Sequence, residues 1–428
     1  MSRHYRCRSG FTIIEIFGVV VIIGTLVGLL LPAVQSAREM ARRTSCANNF
    51  TQVGMAVHAY HHSFEQIPTP LSGTHGSTVV GMDNDKRLSG FVALLPFLQQ
   101  SEQWRSIQEP MANDWNNTYW NRAGSMSMGG MYEDEADVVA KAPWPAGGPE
   151  PFTADYQPWF VESAALRCPS DPGTGIPAMA RTNYAFCFGD AVLCGASGPM
   201  KSIDGVFEVD PKLEATTSAS MRGMFVPRVK IRLTDVTDGL SSTMMMGEIA
   251  TALGDQDVRT YPAVAASPAL LRDNPSWARQ QPDYIDTERP AFWSQTGWHS
   301  GGANGMASGI LNGDQSMRRG FRWADGMPLY TGCNTILPPN REITMSADRD
   351  DSWGILPPSS RHQGGAHVCF GDGRVSFVSN SIDAGDTFQP TVYPGSPNPP
   401  GSKSVFGVWG AMGTRASGEL SPHELAFN

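Results

Sequence analysis

The sequence predicts an α+β protein: one long N-terminal helix apolar enough to be transmembrane, then a large domain dominated by antiparallel β-strands. Three observations carry this. Residues Phe11 to Val34 contain one acid, Glu15, and are otherwise interrupted only by Thr12, Thr25, Pro32 and three glycines. The chain as a whole holds 45 Gly and 32 Pro, a turn-rich composition that favours short strands over a helical bundle. Near the C-terminus, two apolar β-forming runs flank Gly371-Asp372-Gly373, a strong hairpin cue.

The apolar run forms a helix of roughly 36 Å, enough to cross a hydrocarbon core of about 30 Å. Soluble helices are seldom apolar on every face for such a length. Beyond it, Phe50, Val53, Val57 and Tyr60 recur at three- and four-residue steps, with Asn48, Asn49, Gln52 and His58 on other faces. One rod of roughly 78 Å, from Phe11 to about His62, is therefore expected. Pro32 removes one backbone hydrogen bond and is expected to kink it. Ile67-Pro68-Thr69-Pro70 ends it.

A second helix is expected from Phe91 to about Ile107, with Pro96 in its early turns. Residues 108–160, rich in Trp, Asn, Gly, Met and acids, read as an irregular insertion. Asn183–Phe188, Gly205–Val209, Val229–Leu233 and Ser242–Met246 read as strands. Ala366–Phe370 and Arg374–Val378 form a hairpin over 366–378, closed by a type I′ turn at Asp372-Gly373.

Net charge is −9, and no basic stripe breaks the acidic balance, so no nucleic-acid partner is expected. Of seven cysteines, Cys7 precedes the apolar run. The even remainder suits disulfides in an oxidising compartment, with Cys187 and Cys194 around a Gly-Asp turn as the local pair. No Cys-x-x-Cys occurs, so no zinc ribbon or thioredoxin-type site is expected.

Gly10-Phe11-Thr12-Ile13-Ile14-Glu15, after a leader carrying Arg3, Arg6 and Arg8, resembles the prepilin signal of type IV pilins and type II secretion pseudopilins. The resemblance implies peptidase cleavage between Gly10 and Phe11 and N-methylation of Phe11. It also implies pairing of Glu15 with the terminal ammonium of a neighbouring subunit. A carboxylate in an apolar span costs on the order of 2–3 kcal/mol and needs such a partner. Arg38, Arg42 and Arg43 balance the leader arginines, so charge alone barely sets orientation. The prepilin resemblance places the leader in the cytoplasm and exports the C-terminal domain. The chain then divides into leader 1–10, span 11–34, helix continuation 35–66 and exported domain 67–428. The expected location is the inner membrane, single-pass, with the domain in the periplasm or at the cell surface.

Further segments resemble a bacterial family catalogued as domain of unknown function 1559, which joins a prepilin-like N-terminus to a His-x9-Asp-Gly motif. Here the motif is His362 followed by Asp372-Gly373. The others include Arg43 to His61, Leu94-Leu95-Pro96-Phe97-Leu98, Arg167-Cys168-Pro169-Ser170-Asp171-Pro172, Thr237 to Glu248 and Val408 to Arg415. Phe17-Gly18 departs from the usual Leu-Val after the acid, and residues 250–345 match poorly. The resemblance implies a pseudopilin-like structural or surface-assembly protein. Its partners are a prepilin peptidase, a methylating activity, the membrane, and further copies or pseudopilins.

No catalytic constellation is found. His58 and His62 have metal-pair spacing, but His58-Ala59-Tyr60-His61-His62 lacks the glutamate of a zincin; they read as helix-end packing. His423-Glu424 lacks a second histidine. The loop beginning Asp83-Asn84-Asp85 has Leu94 where an EF-hand needs glutamate. Major pseudopilins hold calcium near the C-terminus, and Asp171, Asp190 and Asp372 are the nearest counterparts here. They are not taken as ligands, so no metal and no cofactor are expected. Asp372 reads as a turn former and His362 as a cap on the hairpin's base. The alternative function is an exported, membrane-anchored ligand- or glycan-binding module using exposed tryptophans, with Trp115, Trp120, Trp144 and Trp159 concentrated in the insertion.

Overall fold

The computed structural model describes residues 13–77, 81–111, 144–203, 205–281, 284–294, 309–310 and 317–419. The Gly10/Phe11 junction and Trp115 and Trp120 lie outside them. Helix α1 runs unbroken from Ile13 to Phe64, with Pro32 inside it. Its two halves meet different surroundings. The apolar half is wholly exposed, whereas Cys46, Phe50, Val53 and Val57 have no accessible surface. Those four positions share one face, which is the face the sequence period marks.

That face rests on a five-stranded sheet. In chain order the strands are β1 Tyr184–Cys187, β2 Met200–Ile203, β3 Val206–Val209, β4 Met244–Glu248, β5 Ala263–Val264, β6 Gly309–Ile310, β7 Gly332–Cys333, β8 Thr344–Met345, β9 Gly354–Ile355, β10 Gly365–Phe370 and β11 Val375–Ser379. The main sheet has the order β11-β10-β4-β1-β7. Its pairs are antiparallel except β1 with β7. Smaller sheets are β2-β3 and β6-β5-β8-β9. The helix lies close on β10 because Gly54 has no side chain: a Cβ there would come within 2.9 Å of Cys369 Sγ. Phe50 stacks on Tyr184 of β1, and the Arg43 guanidinium lies 3.4 Å from the ring centroid of Phe377 on β11.

Several expected elements are reshaped. The helix over 91–107 is divided into α2 Gly90–Leu94, a 3₁₀ turn Leu95–Leu98 and α3 Ser101–Gln108. Pro96 sits in the 3₁₀ turn, and Gln99 ends it in the left-handed region at φ 61°. Val229–Leu233 is not a strand; Ile231 offers only its carbonyl to Ile67 N, and Leu233 opens a 3₁₀ turn. The hairpin 366–378 is present, but its turn is not type I′. Gly373 has φ 86° while Asp372 does not enter positive φ. Gly373 N bonds to Phe370 O, and Phe370 N to Arg374 O. This is a three-residue loop with a left-handed glycine at its end.

A candidate site where the long helix meets the sheet

Four segments distant in sequence bring their side chains together beneath α1. Cys46 comes from the first docked turn of the helix, Cys168 from the loop before β1, Glu248 from the end of β4 and His362 from the loop before β10. One ligand atom of each lies within 4.8 Å of all the others, and all four residues are buried. Cys46 Sγ is 3.3 Å from Glu248 Oε1, Cys168 Sγ is 3.4 Å from His362 Nε2, and His362 Nε2 is 3.7 Å from Glu248 Oε1.

Each member is held by groups behind it. Asn49 Nδ2 donates to Arg167 O at 3.0 Å, tying the loop of Cys168 to the helix one turn after Cys46. Asn183 Oδ1 accepts from Cys168 N at 3.0 Å. The second oxygen of Glu248 accepts from His367 N and lies 2.9 Å from His367 Nδ1. The other ring nitrogen of His362, Nδ1, lies 2.7 Å from Glu39 Oε1, and its backbone N donates to Ser360 Oγ. Tyr184 donates its hydroxyl to Cys46 O.

The electrostatics follow from these contacts. Burial pushes the Glu248 carboxyl up, but the hydrogen bonds and charge of His367 and the charge of His362 hold it below the usual range. Burial pulls His362 down, while Cys168, Glu248 and Glu39 outweigh it and raise the imidazole to about 9. The two thiols interact: the hydrogen bond between them lowers Cys168 and raises Cys46. The site brings two sulfurs, one imidazole nitrogen and one carboxylate oxygen to a common point, a donor set able to hold a metal ion.

The expected site residues are distributed differently. His362 does not cap the hairpin's base; it faces the cluster and meets His367 edge-on, with centroids 5.2 Å apart. Asp372 sits at the opposite end of β10, where its Oδ1 accepts from Arg374 N, so the His-x9-Asp-Gly motif spans two separate places. The Cys187–Cys194 pairing is absent: both are free thiols. Cys187 lies opposite Cys333 on β7, and Cys194 points toward Leu213 O. Asp171 is engaged by Asn183 and Thr251 and Asp190 by Arg222, and among the described residues the three aspartates do not gather into one ligand group. His61 accepts from Leu233 N, in keeping with a packing role at the helix end.

Sequence reasoning missed Cys46, Cys168 and Glu248 as a group, together with Glu39 and His367 behind them. Each cysteine stands alone, so no ligand spacing announces it. The available signal was that Cys46, Cys168, Glu248 and His362 all fall in the segments that carry the family resemblance.

An exposed apolar helix running into a buried α+β body defines the class of protein. The model of the family described as "Protein of unknown function (DUF1559)" matches residues 35–385, and the chain belongs to that family. The match runs through residues 250–345, the stretch that sequence reading sets apart as departing from the family. No curated protein and no solved structure is matched by the chain.

Proposed function

We propose that this protein is a membrane-anchored, pseudopilin-like assembly subunit rather than an enzyme. The observation that carries this is the double character of α1: an exposed apolar half containing Glu15 continues without a break into a half buried on the sheet. Such a helix joins a lipid- or subunit-facing segment rigidly to a folded domain. In this reading, prepilin peptidase cuts after Gly10 and Phe11 is N-methylated. The domain sits in the periplasm or at the cell surface while the apolar half stays in the inner membrane. Neighbouring copies or other pseudopilins of a type II secretion-like assembly then pack through the apolar halves, with Glu15 opposite a terminal amine.

The glycan-binding alternative needs exposed indoles. Trp144 and Trp159 are buried, and Trp159 donates its indole N–H to Glu150 O. Among the described residues of the insertion, tryptophans therefore serve the core.

N-terminal peptide mass spectrometry of protein from its host tests the processing, with a methylated Phe11 expected. In the same membranes, Glu15→Val should insert normally yet lose cross-linked ladders, because pairing between adjacent helices is lost. A mature N-terminus beyond the apolar run, or identical monomeric cross-linking of both forms, would sink the proposal.

A further inference from the structure

We infer that Cys46, Cys168, Glu248 and His362 form a closed structural zinc site that fastens the long helix to the sheet. Tetrahedral Zn²⁺ with sulfur at about 2.3 Å and nitrogen or oxygen at about 2.0–2.1 Å places neighbouring donor atoms roughly 3.3–3.8 Å apart. The observed edges are 3.3 Å for sulfur to oxygen, 3.4 Å for sulfur to nitrogen and 3.7 Å for nitrogen to oxygen. These three of the six edges fall in the range for donors around one metal ion, and all four atoms lie within 4.8 Å of one another. Two thiols and an imidazole select a borderline-soft ion; calcium and magnesium require oxygen donors.

The surroundings are those of a metal centre. Zinc-bound histidine commonly hands its other nitrogen to a carboxylate, which fixes the tautomer and ring plane; Glu39 does this to His362 Nδ1 at 2.7 Å. The carboxylate ligand is itself hydrogen-bonded, by His367. Four protein donors leave no open position, which distinguishes a structural site from a catalytic one. Binding releases to solvent the two thiol protons and the proton on His362 Nε2, so the metal also removes the need to bury two thiols against a carboxylate.

The rival fate of the same sulfurs in an oxidising compartment is a Cys46–Cys168 disulfide, which would leave Glu248 and His362 with no ion to bind. Metal analysis of the full chain, purified in detergent without chelators, separates the two. The expected result is one zinc per chain. Cys46 and Cys168 should resist alkylation until a chelator is added. Replacement by Co²⁺ should give a thiolate-to-cobalt charge-transfer band and the intense d–d bands of tetrahedral coordination. Cys168→Ala should lose the metal, Cys168→His should regain it, and Cys194→Ala, outside the cluster, should keep it. Because Cys168→Ala could misfold, the cobalt spectrum and alkylation pattern of the unmodified chain decide independently. A metal-free protein with a Cys46–Cys168 disulfide in non-reducing peptide maps, or full zinc content in folded Cys168→Ala, would overturn the inference.

Discussion

Phe50 of the long helix and Tyr184 of β1 stack with ring centroids 4.3 Å apart and planes 20° from parallel. Both are fully buried, and the same tyrosine donates its hydroxyl to Cys46 O one turn earlier. The pair thus fixes both the depth and the rotation of the helix on the sheet.

Phe50→Ala should therefore cost about 3–5 kcal/mol, the range for emptying a large aromatic site in a packed core. Denaturant unfolding of the full chain in detergent measures it. A loss below about 1 kcal/mol would mean that the helix is not docked as described.

The hairpin loop gives a sharper contrast. Gly373 stands at φ 86°, and a Cβ there would meet nothing closer than 3.8 Å. Space is available, so the cost of Gly373→Val is conformational, on the order of 1–2 kcal/mol. Asp372→Asn should be nearly silent, since the amide oxygen can still accept from Arg374 N. The reverse ranking in thermal unfolding would show that the loop is held by Asp372 rather than by its glycine.

Glu150 supplies a pH dependence of defined sign. Burial raises its carboxyl from 4.5 to about 7; Arg87 opposes this, and Asp85, Asp83 and Asp325 add to it. A folded state that holds a proton more tightly than the unfolded chain loses stability as pH rises from about 4.5 to about 7. Glu150→Gln abolishes that loss, so its melting temperature should gain on the wild type between about pH 5 and pH 8. A gap that stays constant across those pH values would refute the assignment.

What was legible in the sequence followed local period. The stripe of Phe50, Val53 and Val57 marks the docked face of α1 because each turn repeats the same environment. The strands at 183–188 and 242–246 were visible as apolar β-forming runs between turn residues. Val229–Leu233 has the same composition, yet its backbone bonds to Ile67 rather than to a sheet, a tertiary choice that composition does not encode. The turn at Asp372-Gly373 departs from type I′ for a subtler reason. Asp-Gly suits a two-residue turn, but Gly371 lengthens the loop and leaves a single left-handed position. The four-donor cluster had no local signal, because each donor is one residue of a different segment and only the folded sheet brings them together.

The unbroken course of α1 from Ile13 to Phe64 makes the domain's bearing a matter of counting residues. The stretch between Val34 and Glu39, ahead of the first contacts with the domain, has no hinge of non-helical backbone, so it transmits angle as well as distance. Adding one residue there would swing the sheet by about 100° around the rod and lift it about 1.5 Å; adding a full turn would nearly restore the bearing at about 5.4 Å greater height. The direction in which the domain faces around the apolar rod is thus written in the number of residues in one short stretch of helix.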